Sequence, residues 1–236
     1  MCGRFVSASP PDRIADYFGA DVAVDTLGEN YNVAPTTDVY GVVASAAGER
    51  RLEAFRWGLL PIWAKDVKVG QKMINARAET LASKPAFKGV FRKHRCIIPM
   101  DGFYEWAPGV EGGPLTKAGK PAKRPHFIHR VDGEPLAVAG LWSAWRPKDA
   151  DDDEPWLHTA SVITTSANEA MSSIHDRMPV ILPKAMWDQW LDPTNQQIEM
   201  LSRLLVPADE SVLEMHEVAT DVNNVRNKGP HLFDPR

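Results

Sequence analysis

Eight short β-branched or aromatic runs, VYGVVAS, RLEAFRWGL, RCIIP, GFYEW, HFIHRV, LAVAGLW, LHTASVITT and VLEMHEV, restrict the fold more than any other feature of the chain. Each is bounded by Gly, Pro or Asp. Runs this short build sheets, and they follow one another without the regular helical insertions of a parallel βαβ fold. Helical signals are confined to five segments. SPPDRIADYF offers Ser9 as a cap with Pro10 in the first turn, and NARAETLAS, SANEAMSSIH, PKAMWDQWL and NQQIEMLSRLL follow. The pattern predicts an α+β fold, with twisted antiparallel β-sheets forming a barrel-like core and helices at its periphery. Two polar patches, residues 107–125 and 146–155, read as mobile loops that interrupt strand-like runs. One domain over residues 1–236 is therefore expected.

Composition matters here mainly for what it excludes. With 44% apolar and 25% charged residues the chain is neither fibrous nor disordered, and it has no apolar run near the ~20 residues of a membrane span. The start lacks a cationic segment followed by an apolar stretch, so a cytoplasmic location with reduced thiols is expected. Cys2 and Cys96 form no CxxC pair, and His126 and His129 fall on opposite faces of one strand. Neither a metal nor a cofactor is expected. The net charge of −4 hides an asymmetry: residues 50–130 carry 17 Lys/Arg against 6 Asp/Glu. Such a basic middle fits either a polyanion-facing surface or solvated loops and helix faces.

Four stretches carry candidate chemistry. Loss of Met1 from MCGRF would leave an α-amine and a thiol on the same residue, Cys2. Their ordinary pKa values of about 7.7–8.0 and about 8.5 leave useful fractions of both nucleophiles near neutrality. Such an aminothiol condenses with an aldehyde to an imine, on which sulfur closes a thiazolidine; otherwise Cys2 is a plain thiol or incidental. In MINARAET, Asn75 fits a helix cap or a group orienting a reactant, with Arg77 placed to meet a phosphate. In IPMDGFYEWAP, Glu105 between Tyr104 and Trp106 is either a desolvated general acid/base or an outward-facing strand residue. In SSIHDRMPVIL, His175 fits a proton carrier or a partner of a helix C-terminus.

Taken together, MCGRF, YNVAPT, RWGLLPIWAKD, INARAET, RCIIPMDGFYEW, GLW, TTSAN, IHDRMPVIL and VNNVRNKGP resemble, in order and from Cys2 to about Pro230, the SRAP family. These SOS response-associated peptidase-like proteins include abasic-site processing proteins. The resemblance implies an enzyme of the DNA damage response that protects a lesion by crosslinking to it. Cys2 would form a thiazolidine with the ring-opened aldehyde of an abasic site in single-stranded DNA. Glu105 would act as general acid/base, His175 would assist at the sugar ring oxygen and the Schiff base, and Asn75 would hold the adduct. Arg77 and Arg177 would bind phosphates beside the lesion, supported by Arg4, Asn32 and Thr164. Ile62 and Trp63 would lie in a segment wedged against the base stack, with Trp106 beside the active site; some relatives carry an aromatic at position 62. Trp57, Trp63 and Trp106 offer stacking surfaces within the basic middle. The resemblance further implies crosslink reversal, autocatalytic N-terminal processing and a monomer in the bacterial cytoplasm near the nucleoid.

Two other readings use the same residues. A cysteine peptidase acting in trans would employ Cys2, His175 and Asn75 or Glu105. A non-catalytic module would bind intact and abasic single strands alike through the basic, aromatic middle.

Overall fold

A computed structural model describes residues 2–236. In chain order the elements are β1 (Phe5–Ser7), α1 (Pro11–Phe18), β2 (Asp21–Val22), β3 (Asn30–Val33), β4 (Asp38–Ala44), β5 (Arg50–Trp57), β6 (Asn75–Arg77), α2 (Pro85–Lys93), β7 (Arg95–Met100) and β8 (Gly102–Ala107). Then come β9 (Arg124–Arg130), β10 (Leu136–Trp145), β11 (Leu157–Ser166), α3 (Glu169–Ser172), β12 (Arg177–Pro179), α4 (Trp187–Leu191), α5 (Ile198–Arg203) and β13 (Leu213–Glu217). Short 3-10 turns fill several connections.

Strands β11, β10, β7, β4 and β5 follow one another as paired neighbours, and β5 returns to pair with β11 in parallel, Thr159 beside Arg56 and Ala160 beside Trp57. That last pairing closes a five-stranded barrel and confirms the α+β class. A second sheet, in the order β13-β9-β8-β1-β3, covers it. Strand β7 shows how the two layers share side chains. Its residues Arg95–Met100 are all buried: Cys96, Ile98 and Met100 pack with Phe5, Phe103 and Ile128 of the second sheet, while Ile97 points into the helix-covered cluster holding Phe18, Phe91, Trp187 and Trp190. A strand covered on both faces needs no polar alternation. Each fully buried Phe or Leu in these layers contributes about 1.5–3 kcal/mol relative to exposure.

The helices differ from expectation in instructive ways. α1 forms as predicted, with Ile14, Ala15 and Phe18 inward and Gly19 closing it in the left-handed conformation at φ 60°. Its cap is Pro10, with Pro11 in the first turn; Ser9 donates instead to Asp101 Oδ1 at 2.5 Å. NARAETLAS is no helix. It opens as β6, because Asn75, Ala76 and Arg77 pair in parallel with Val162, Ile163 and Thr164 of β11. α2 was not anticipated, although Pro85 at its start and Phe87 and Phe91 one turn apart are its signature. Trp57 is wholly buried, donates to the Ile74 carbonyl at 2.9 Å and meets Phe5 edge-on, so it is a core residue and offers no stacking surface.

The turn after β5 needs glycine twice. Gly58 has φ 132°, and a Cβ there would stand 2.7 Å from the Gly70 carbonyl oxygen. This close approach pins the loop bearing Ile62 and Trp63. Among the described residues no helix is long and apolar enough to cross a membrane.

Candidate active site and nucleic-acid interface

Cys2 is buried in the layer between barrel and second sheet, beside Phe5, Trp57 and Phe103. Met1, whose removal the aminothiol chemistry requires, lies outside the described residues. β6 delivers Asn75 to this point: its Nδ2 donates to the Cys2 carbonyl at 2.7 Å. Asn75 Oδ1 is buried with no hydrogen-bond partner among the described residues, leaving an acceptor aimed into the site. Of the two roles open to Asn75, the structure therefore supports the orienting one over the helix cap.

Glu105 reaches the same place along β8. Phe5 pairs with Phe103, and the Tyr104 N–H donates to the Arg4 carbonyl at 2.9 Å, so the chain leading into β1 runs beside Glu105. Glu105 is only 3% exposed, which rules out the outward-facing alternative. Desolvation first, and the Glu105 carboxylate second, push the Cys2 thiol far up; a hydrogen bond from the Arg4 backbone opposes them. The resting sulfur is thus a thiol, unlike the activated thiolate of a cysteine peptidase.

His175 follows α3, held by its N–H to the Met171 carbonyl at 3.0 Å. Its Nδ1 accepts the Arg177 N–H at 3.0 Å and also lies 2.8 Å from Asp176 Oδ1. Those contacts require opposite protonation of Nδ1. The buried-side backbone donor is the more binding constraint, since the Asp176 side chain is 86% exposed, and it leaves the ring proton on Nε2.

The arginines fall into two groups. Arg77, exposed, and Arg177 sit on strands that flank β11. Arg177 donates to Glu79 Oε1 and Oε2 at 2.6 and 3.0 Å and to the Thr164 carbonyl at 2.6 Å. Glu79 was not singled out in the sequence, although it stands two residues beyond Arg77 in INARAET, on the same side of an extended strand. The Arg177 hydrogen bond holds the Glu79 carboxyl below its usual range, and Arg77 adds to the effect.

Arg4 belongs to the other group. It donates to Asn32 Oδ1 at 2.7 Å and the Val222 carbonyl at 2.9 Å, and stands 5.9 Å over the Trp106 ring. Asn32 in turn donates to the carbonyls of Val222, Asn224 and Asn227 at 3.1–3.3 Å. Half-buried Trp106 donates to Asn223 Oδ1 at 2.6 Å. The segment VNNVRN is thereby tied across β1, β3 and β8. Asn32 and Thr164 are completely buried and face no solvent in this structure, so they hold Arg4, Arg177 and the loop in place. Burial, with Arg4 nearby, lowers Lys228, whose Nζ donates to Asn30 Oδ1 at 2.9 Å.

The basic middle is also sorted by the fold. Arg95 is 2% exposed and spends its guanidinium on the carbonyls of Phe91, Arg92, Trp190, Asp192 and Asn195. Burial lowers its pKa to about 10. Arg50, Arg124 and Arg130 pair with Asp188, Glu217 and Asp132. Between residues 61 and 93, however, Lys65, Lys68, Lys72, Arg77, Lys84, Lys88, Arg92 and Lys93 are all exposed. Ile62 and Trp63, 79% and 50% exposed, project from the same region. Among the described residues no cluster of three His, Cys, Asp or Glu is placed to hold a metal ion.

A family model described as SOS response associated peptidase (SRAP) matches residues 1–225. A Bacillus subtilis protein named abasic site processing protein YoqW is 40% identical over 99% of both chains. An Escherichia coli protein named abasic site processing protein YedK is 29% identical over the whole of both. A crystal structure of a protein from Bacteroides thetaiotaomicron superimposes over both full chains with a TM-score of 0.84 at 25% identity. The ordered motifs, the barrel and the full-length likeness agree, and the chain belongs to the SOS response associated peptidase (SRAP) family.

Proposed function

We propose that this protein captures abasic sites in single-stranded DNA by a covalent crosslink through Cys2. The observation that carries the reading is the assembly around one residue: Asn75 fixes the Cys2 carbonyl at 2.7 Å while the buried Glu105 carboxylate acts on its thiol. Relatives named abasic site processing proteins support the substrate.

The chemistry runs in three balanced stages. Opening of the abasic sugar breaks the bond between its anomeric carbon and ring oxygen; a proton goes onto the oxygen and another leaves the anomeric hydroxyl, giving an aldehyde. His175 assists at the ring oxygen. The freed α-amine of Cys2 attacks the aldehyde, and loss of water leaves an imine, with Glu105 shuttling the protons. The Cys2 S–H then adds across the C=N bond, carbon taking sulfur and nitrogen taking hydrogen, to close the thiazolidine. A thiol kept protonated suits this order, because the amine acts first and sulfur reacts once the imine is beside it. Arg77 and Arg177 bind the flanking phosphates, and the exposed cations of residues 61–93 guide the strand. An abasic residue has no base to unstack, so its sugar enters a pocket at little cost.

The test is a single-stranded oligonucleotide with one abasic site, incubated with protein whose mass confirms loss of Met1. A heat-stable adduct on a denaturing gel, absent with Cys2→Ala, is expected. Mature protein that yields no adduct overturns the reading.

A further inference from the structure

Beside the exposed Ile62–Trp63 pair lies an open groove of about 280 Å³, walled by that loop on one side and by Gly89, Val90, Lys93 and His94 of the α2 segment on the other. Nothing in the chemistry above uses it. Its lining is predominantly apolar, yet its rim is cationic: residues 80–100 hold Lys84, Lys88, Arg92, Lys93 and Arg95 and no acid, and all but Arg95 are exposed. An apolar slot under a row of cations matches a flat, uncharged ring attached to an anionic chain.

Gly89 gives the second, independent observation. It stands inside α2, in ordinary helical backbone, and a Cβ added there would meet no atom within 4 Å. Glycine at such a position costs a helix roughly 0.5–1 kcal/mol against alanine and gains nothing in packing. What it does is leave the floor of the groove open opposite Trp63. The loop is also leashed to the candidate active site. The Leu59 N–H donates to the Met73 carbonyl at 3.2 Å and Trp57 Nε1 to the Ile74 carbonyl at 2.9 Å, immediately before Asn75.

We propose that this groove is a binding site for one unpaired nucleobase of the single strand, stacked on Trp63 beneath the exposed lysines. The proposal rests on the single-stranded DNA reading above. Stacking on an aromatic face without hydrogen-bond readout makes the site tolerant of base identity. The occupant is a nucleotide neighbouring the lesion, since the lesion itself carries no base.

The test exploits Gly89. Gly89→Phe fills the groove from a helical position with open space, and Gly89→Ala leaves it nearly unchanged. Fluorescence anisotropy with an intact single-stranded oligonucleotide is expected to show about tenfold weaker binding for Gly89→Phe, with Gly89→Ala equal to the parent and thermal melting of both no lower. A 2-aminopurine stepped along an abasic oligonucleotide should show one position quenched by the parent protein and released in Gly89→Phe. Equal affinity of Gly89→Phe and parent, or no protein-dependent quenching at any position, overturns the proposal. If the parent itself neither binds single strands nor forms an adduct, the functional reading has failed instead. Binding and crosslinking by the parent with an indifferent Gly89→Phe isolate the failure to the groove.

Discussion

Glu79 holds Arg177 by both carboxylate oxygens, at 2.6 and 3.0 Å, and it also feels the charge of Arg77. A carboxylate thus occupies the edge of Arg177 that a DNA phosphate would use, and DNA has to displace it. Glu79→Gln is expected to bind single-stranded DNA several-fold more tightly at low salt. Freeing one cation also steepens the salt dependence, by about 0.7 in the slope of log K against log salt. Anisotropy titrations across a salt series measure both. Weaker binding by the variant means that Glu79 aims the guanidinium instead of competing for it.

Asn75→Ala removes the 2.7 Å hydrogen bond to the Cys2 carbonyl but leaves the β6 backbone pairing intact. One hydrogen bond of net ~1 kcal/mol corresponds to a rate loss of about five- to tenfold if it is made throughout the reaction. Adduct formation followed on gels should slow by that factor while circular dichroism stays unchanged. An undiminished rate would show that Asn75 serves the fold alone.

Asn32→Ala should act on stability. Its amide joins Arg4 to three carbonyls of residues 222–227, and truncation leaves buried polar groups unpaired at a cost of about 1–3 kcal/mol. Urea unfolding measures the loss, and faster proteolysis near residues 222–227 would localise it. A variant as stable as the parent excludes the clamp.

Both thiols are raised far above their ordinary value, Cys96 by burial and Cys2 by burial with Glu105. The folded chain therefore keeps these protons after the unfolded chain has begun to lose them. Their contribution to stability is fully present below the unfolded thiol pKa of about 8.5 and declines as pH rises beyond it. Melting temperatures should fall between pH 8 and 10, and more gently for Cys96→Ala after allowance for its lower starting stability. An equal slope in the variant would assign the alkaline loss to other groups.

Local chemistry made much of this legible. The uniformly apolar RCIIPM announces a strand buried on both faces, and MCGRF and GFYEW hold the two residues that meet at the thiol. What stayed hidden depends on partners distant in sequence. Asn75 looks like a helix cap until β11 is beside it, and Trp57 looks like an exposed aromatic until Phe5 closes over it. Buried Asn32 and Thr164 gave no local sign that they act through arginines. Glu79 was visible as a letter, but its meaning required Arg177, which arrives from another strand.

Burial of Cys2 also sets a timetable. The residue is the second to be made, yet Asn75 and Glu105 come much later, and β11 later still. At synthesis rates of about 5–20 residues per second, the stretch from Cys2 to Glu105 takes roughly 5–20 s. During that interval the chain end is unfolded and open to an aminopeptidase, and afterwards it is enclosed. Maturation of the nucleophile is thereby coupled to translation: a chain that folds before it is trimmed has lost its opportunity, and the ratio of competent to incompetent protein is fixed while the polypeptide is still being made.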